Sequence, residues 1–219
     1  MMILAMQDIR YIAWRVLGLS LLMTLLLAGC SSPTIPDSSS DYEGTALGGQ
    51  PAPDFHLIDQ HGGSIALSDF RGKVVVLAFL DSQCKDVCPL TAAQLRQAYK
   101  TLGDQARSVI FLGVNVNLQA AQVSDVAVTT DQWKLNEIPS WHFLTGEPEE
   151  LGPVWKAYYI AVQPAPDSTG ELMHTSGVYV IDQLGREQWY ISNPLAAPGN
   201  PSLSEVLVKR IQELLGEIK

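Results

Sequence analysis

The alternation of apolar and polar positions divides the chain from about Pro51 onward into strands and helices. Two runs, Val74–Leu80 and Ser108–Val116, are apolar almost throughout, which is typical of strands buried on both faces of a parallel sheet. Between them, apolar positions from Leu90 to Leu102 recur at helical spacing, and Gly103 ends the pattern. The strand, helix and strand predict a βαβ unit with a right-handed connection.

The rest of the pattern adds elements on both sides of this unit. Short runs at Phe55–Asp59 and Ser64–Leu67 enclose a turn and predict an N-terminal β-hairpin. We expect a Pro/Gly-rich loop over Gln163–Glu171. Helices are predicted over Gln119–Leu135, Pro148–Tyr159 and Leu203–Ile218, and strands over Trp141–Leu144, Val178–Asp182 and Gln188–Ile191. This order predicts an α/β fold, a central mixed sheet flanked by helices on both faces.

The first 29 residues have the pattern of a targeting segment. Arg10 and Arg15 precede the apolar run Val16–Ala28, and small residues lie directly before Cys30. The sequence Leu-Ala-Gly-Cys resembles the lipobox of bacterial lipoproteins, so we predict a signal peptide over residues 1–29 and lipid on Cys30. An uncleaved signal anchor is the alternative. Both interpretations place the rest of the chain on the extracytoplasmic face of the cell membrane.

After the targeting segment the chain becomes polar. Residues 30–49 are polar and rich in Ser, Pro and acidic residues, which predicts a flexible tether, and residues 50–219 form one predicted domain. The whole chain has 14 basic and 23 acidic residues and a formal net charge of −9. Such an excess of acidic groups argues against nucleic acid and anionic lipid surfaces as partners.

The candidate chemistry lies in Asp81–Leu90, where the first buried strand ends and a helix begins. If Cys30 carries lipid, Cys84 and Cys88 are the only remaining cysteines. Their i, i+4 spacing places both sulfurs on one side of a helical turn, close enough to bind one metal ion or to form a disulfide. A helix N-terminus also favours the thiolate. We therefore prefer a functional pair over two ordinary buried cysteines.

Several motifs together resemble the Sco/SenC family over about Pro51 to Lys219. They are the Cys-x-x-x-Cys-Pro of Cys84–Pro89, the segment Trp141–Gly146, and His174-Thr175 before a predicted strand. The resemblance implies a thioredoxin-like fold, tethering to the membrane, and copper binding by Cys84, Cys88 and His174. It also implies a role in assembling the dinuclear copper centre of cytochrome c oxidase. The subunit that carries this centre would be the partner.

The donor types agree with copper as the bound metal. Two thiolates select soft Cu(I), and an imidazole also tolerates Cu(II), whereas zinc favours a fourth ligand. We expect Met173 and His142 to serve packing, and His56 and His61 to lie on the surface. The same cysteines allow a second function, a thiol–disulfide oxidoreductase in which Cys84 is the attacking thiolate.

Peroxidase chemistry is disfavoured. A peroxidatic cysteine is commonly preceded by Thr or Ser three residues earlier, and Asp81 occupies that place before Cys84. Two segments also depart from the family pattern, Asp81-Ser82-Gln83 and Val114–Asn117. We expect both to shape the rim of the site.

Overall fold

The computed structural model describes residues 43–165, 172–192 and 199–216. Within these residues the strands are β1 (Thr45–Pro51), β2 (His56–Ile58), β3 (Ser64–Ala66), β4 (Val74–Leu80), β5 (Val109–Asn115), β6 (Trp141–Leu144), β7 (Val162–Pro164), β8 (Leu172–His174), β9 (Val178–Ile181) and β10 (Arg186–Ile191). The α-helices are α1 (Val87–Leu102), α2 (Val123–Gln132), α3 (Pro148–Ala157) and α4 (Leu203–Leu214).

Six of these strands form one mixed sheet in the order β1-β10-β9-β4-β5-β6. The strands β4, β5 and β6 run parallel, while β9 pairs antiparallel with β4 and β10 antiparallel with β9. All seven residues of β4 are buried. The predicted α/β class, with a central mixed sheet, is therefore confirmed, and the long apolar run of β4 reflects its position in the middle of the sheet.

Side chains of β4 alternate between two hydrophobic cores, one on each face of the sheet. Val74, Val76, Ala78 and Leu80 pack with α1, α2 and α4. The intervening residues Val75, Leu77 and Phe79 pack with α3 and with the β2–β3 hairpin. The period of two along the strand thus places helices on both faces of the sheet, as the order of elements predicted.

The sheet begins earlier in the chain than the sequence predicted. We expected a tether over residues 30–49, but Thr45–Pro51 forms β1 and pairs antiparallel with β10 at the edge of the sheet. The side chains of β1 are mostly exposed, so the strand is held chiefly by backbone pairing and has no apolar alternation to reveal it. The predicted signal peptide and residues 30–42 of the tether lie outside the described residues.

The first two residues of the loop predicted over Gln163–Glu171 belong to strand β7, and residues 166–171 lie outside the described residues. Strand β7 pairs antiparallel with β8, with Gln163 opposite Met173. The predicted helix over Gln119–Leu135 is shorter, because α2 is limited to Val123–Gln132 and is flanked by short 3-10 turns. In the part of the chain that the structure describes, no helix has both the length and the apolar character needed to cross a bilayer.

Candidate metal and redox site

The two cysteines lie in the loop between β4 and α1. Asp86 is the N-cap of α1, and its carboxylate accepts a hydrogen bond from the N–H of Val87. The Cys84 thiol donates to the same carboxylate at 3.1 Å. The N–H of Cys88 donates to the sulfur of Cys84 at 3.3 Å. Both cysteines are free thiols, Cys88 buried and Cys84 partly exposed.

The two thiols differ in acidity because of this arrangement. Hydrogen bonding from Cys88 lowers the pKa of Cys84, although partial burial opposes the effect. The same interaction and burial raise the pKa of Cys88 far above its ordinary value, since its thiol is the donor and lies out of water. Cys84 is therefore the sulfur that ionises first.

The third predicted residue, His174, reaches the cysteines from a distant part of the sequence. It is the last residue of β8, and three residues separate it from the central strand β9, which begins at Val178. Gly177 is required here, because a Cβ would lie 2.4 Å from the ring of Tyr190. The hydroxyl of Tyr190 donates to the carbonyl of Ser176 at 3.2 Å and so holds the chain that follows the histidine.

The imidazole of His174 is oriented with its Nε2 atom towards the cysteines. Its Nδ1 lies 3.1 Å from the carbonyl oxygen of Thr175. A carbonyl only accepts, so Nδ1 carries the proton and the neutral ring has its lone pair on Nε2. Burial lowers the pKa of His174, despite opposing contributions from that carbonyl and from Asp81. The neutral, metal-binding form is thus favoured.

The distance between the donors suits a shared ion. The sulfur of Cys88 lies 3.8 Å from Nε2 of His174. An S and an N donor bound to one ion at ordinary bond lengths are about 3.5 to 4 Å apart. Within the described residues, no three or more His, Cys, Asp or Glu side chains lie close enough together to hold a metal ion as they stand. The structure therefore brings Cys88 and His174 together, with Cys84 one hydrogen bond away.

An open cavity of about 860 Å³ lies beside these residues, although the buried Cys88 does not line it. Cys84 and His174 both line it, together with Asp86 and Val128. Met173 also lines the cavity and is 48% exposed, so it does not fill the core as we expected.

A buried polar cluster under the cysteine loop was missed as such from the sequence. Asp81 accepts from Asn117 at 2.8 Å, and Asn115 accepts from the N–H of Ser82 at 3.3 Å. The Thr129 hydroxyl donates to the carbonyl of Ser82 at 2.8 Å. All five residues are buried. The two segments that depart from the family pattern, Asp81-Ser82-Gln83 and Val114–Asn117, therefore lie under the cysteine loop as well as along part of the cavity wall. The sequence did contain one indication of this cluster, namely polar residues at the ends of two buried strands.

The other histidines lie away from the cavity. His56 and His61 are exposed, as predicted. His142 is more than a packing residue, because its Nδ1 lies 3.0 Å from a carboxylate oxygen of the buried Asp59. This pair ties β6 to the turn of the β2–β3 hairpin.

The fold and the cysteine loop together define a thioredoxin-like protein with a Cys-x-x-x-Cys pair at the start of a helix. A thioredoxin domain of a thiol-disulfide oxidoreductase from Bacteroides vulgatus superposes with a TM-score of 0.54 at 19% identity, covering 75% of this chain and 95% of that one. The N-terminal hairpin β2–β3 is an addition next to the central sheet.

Residues 44–198 match the model of the SCO1/SenC family. Because the match spans more than half of the sequence, the chain belongs to this family, which confirms the resemblance. The SCO2-like protein of Rickettsia prowazekii is 24% identical over 174 residues, 78% of this chain and 82% of that protein. The SCO2-like protein of Rickettsia felis is 22% identical, and the alignment spans 61% of this chain and 65% of that protein.

Solved structures of Sco proteins share the fold. Apo Sco1 from Thermus thermophilus is 28% identical, with a TM-score of 0.62 over 79% of this chain and 96% of that one. Arabidopsis thaliana ScoI with copper bound is 19% identical, with a TM-score of 0.63 over 75% of this chain and 98% of that one.

Proposed function

We propose that this protein is a copper metallochaperone that holds copper through Cys84, Cys88 and His174. The observation that carries the proposal is the 3.8 Å approach of the Cys88 sulfur to Nε2 of His174, beside an open cavity that Cys84 and His174 line. Copper is the cargo here, and the donor set of two sulfurs and one neutral imidazole suits it in both common oxidation states. Membership of the SCO1/SenC family and the copper-bound Arabidopsis relative support this assignment.

An open site with few ligands suits release as well as capture. Cys84 is partly exposed and its pKa is lowered, so it supplies the first thiolate, and the ion then displaces the proton of Cys88. A cysteine of an acceptor protein entering the cavity would bind the ion before an original ligand leaves. We propose that the acceptor is the cytochrome c oxidase subunit with the dinuclear copper site, as the family resemblance implies.

The proposal also includes the location of the protein. We infer that lipid on Cys30 anchors the chain to the extracytoplasmic face of the cell membrane, with the following polar segment as a tether. The lipobox-like sequence before Cys30 supports the anchor. A cytochrome c oxidase subunit embedded in the same membrane would then be within reach of the tethered domain.

Copper titration of single-residue variants tests the ligand set. The reduced protein should bind one Cu(I), and Cys84→Ala, Cys88→Ala and His174→Ala should each weaken binding by at least about a hundredfold, because loss of one of three ligands leaves a two-coordinate site. Binding is measured anaerobically by competition with a chromophoric chelator, followed by metal analysis.

The matched control is His56→Ala, which removes an exposed imidazole outside the cavity. This variant should bind copper as the unmodified protein does. Stoichiometric, tight binding by His174→Ala would exclude the proposed ligand set, and equal losses in His174→Ala and His56→Ala would do the same.

A thiol–disulfide oxidoreductase is the second candidate, favoured by the contrast between the two sulfurs. Cys84 is partly exposed with a lowered pKa, whereas Cys88 is buried with a raised one. The Cys84 thiolate would attack a substrate disulfide and expel one substrate thiolate. Cys88 would then resolve the mixed disulfide, leaving a reduced substrate and a Cys84–Cys88 disulfide.

The same set of variants separates the two candidates. A reductase requires both cysteines but not His174, so His174→Ala should retain turnover of a disulfide substrate such as insulin. A chaperone should show no such turnover above background in any variant while losing copper in all three.

A further inference from the structure

The lining of the cavity includes the carboxylate of a buried acidic residue, Asp81. Asp81 is 5% exposed and lines the cavity. Among the described residues, no lysine, arginine or histidine forms an ion pair with it, although Lys85 lines the same cavity. Burying a carboxylate is costly unless another group compensates its charge. A cation arriving from the cavity would provide that compensation.

Hydrogen bonds fix this carboxylate in position. Oδ1 of Asp81 accepts from the N–H of Gln83 and from Nδ2 of Asn117, each at 2.8 Å. Asn117 is itself held, since its N–H donates to Oδ1 of Asn115 at 3.1 Å. Asn115 is fully buried and donates through Nδ2 to the carbonyls of Asn117 and Ala120. These contacts use one oxygen of the carboxylate and keep the group from swinging away.

The same residue is connected to the three proposed ligands. Its backbone carbonyl accepts a hydrogen bond from the N–H of Cys84 at 3.1 Å, so it sets the course of the cysteine loop. Its side chain lines the cavity together with Cys84 and His174, and the sulfur of Cys84 in turn accepts a hydrogen bond from the N–H of Cys88. Asp81 therefore borders the site of the three proposed ligands without being one of them.

We propose that Asp81 is a positioning residue of the copper site that also supplies a fixed negative charge to the bound ion. The proposal rests on the proposed copper-binding function. The energy of a charge pair is proportional to each charge, so the carboxylate stabilises Cu(II) about twice as strongly as Cu(I). The site of this chain should thus favour the divalent ion more than the same three ligands alone would.

The substitution Asp81→Asn tests the charge because it keeps the size of the side chain and an oxygen for Gln83 and Asn117. We expect the affinity for Cu(II) to fall about a hundredfold and that for Cu(I) about tenfold. The resulting tenfold change in the ratio raises the reduction potential of the bound copper by about 59 mV. Both affinities are measured by chelator competition, and the potential is measured by redox titration of the copper-loaded protein.

Further variants separate the effect of the Asp81 charge from the effect of its position and from that of the net charge of the protein. Asn117→Ala removes the support but keeps the carboxylate, so it should weaken both ions equally and leave the potential unchanged. Asp104→Asn removes one exposed charge of the pair with Arg107, so it should change neither affinity. Asp81→Ser is a second neutral variant, and thermal unfolding shows which variants are folded.

Equal losses of the two affinities in Asp81→Asn and Asp81→Ser, with an unchanged potential, would overturn the assigned charge effect. Unchanged affinities would overturn the whole inference while leaving the proposed function intact. If the unmodified protein bound neither ion, the proposed function and this inference would both be wrong.

Discussion

Asp182 organises the turn between β9 and β10 through a single side chain. Its Oδ1 accepts from the N–H groups of Leu184 and Arg186, both at 2.9 Å. Its Oδ2 accepts from Nε of Arg186 and from Nε2 of Gln188, both at 2.8 Å. Gly185 completes the turn with a φ of +71°. The buried carboxylate thus pairs two backbone amides that would otherwise lack partners.

These contacts make the stability dependent on pH. Burial raises the pKa of Asp182, but hydrogen bonds from Arg186 and Gln188 and the charge of Arg186 outweigh it, so the folded-state pKa lies below the ordinary value. A lowered folded-state pKa means that the stabilisation is present above the unfolded-state pKa of about 3.9 and is lost as the pH falls through the folded-state value.

We expect Asp182→Asn to lower the free energy of unfolding by about 1 to 3 kcal/mol at pH 7, and by less below about pH 3. Urea unfolding at both pH values measures the difference. The control Asp104→Asn, in an exposed ion pair, should change the free energy by less than about 0.5 kcal/mol. If Asp182→Asn lost the same free energy of unfolding at both pH values, the proposed dependence of stability on the ionisation of Asp182 would be wrong.

The outer edge of the central sheet shows how one element protects another. Strand β6 lies at the edge, where unpaired backbone groups would invite further strands. The buried side chain of Gln60, from the β2–β3 turn, donates to the carbonyl of Trp141 at 3.1 Å and accepts from the N–H of Phe143 at 2.7 Å. The side-chain amide of Gln60 therefore makes the two backbone hydrogen bonds that a neighbouring strand would make at this position.

Replacing this amide should destabilise the edge. We expect Gln60→Leu to lower the free energy of unfolding by about 2 to 4 kcal/mol, because two buried backbone groups lose their partners. The measurement is denaturant unfolding, and amide hydrogen exchange at Phe143 locates the effect. Gln97→Leu, on the exposed face of α1, is the matched control. Equal stability of the two variants would show that water replaces the amide without cost.

The whole molecule combines the described domain with a predicted membrane anchor. If Cys30 carries lipid, a radiolabelled fatty acid should be incorporated into the unmodified chain and into Cys84→Ser, but not into Cys30→Ser, because the lipid is attached through a thioether that only the thiol of residue 30 forms. Mass spectrometry of the N-terminal peptide should show that residue 30 is the first residue of the processed chain. An unlabelled chain that retains residues 1–29 would establish the signal anchor instead.

Local patterns in the sequence determined the elements that hold the cysteines. The apolar run of β4 and the helical spacing of α1 predicted the strand–loop–helix around Cys84 and Cys88, since both depend on neighbours in the chain. The boundaries of β1 and the β7–β8 hairpin were not predictable in this way. None of their side chains is buried, so backbone pairing defines them: β1 pairs with β10, far along the chain, and β7 pairs with β8.

Tertiary structure alone decided what surrounds the sulfurs. Cys88 and His174 are 86 residues apart in sequence, and only the pairing of β9 with β4 brings the end of β8 to the cysteine loop. Family resemblance named these residues, but their distance follows from the sheet. The packing of Asp81 against Asn117 likewise joins the ends of two parallel strands. Sequence patterns record burial and local conformation, whereas the meeting of remote side chains depends on how the elements pack.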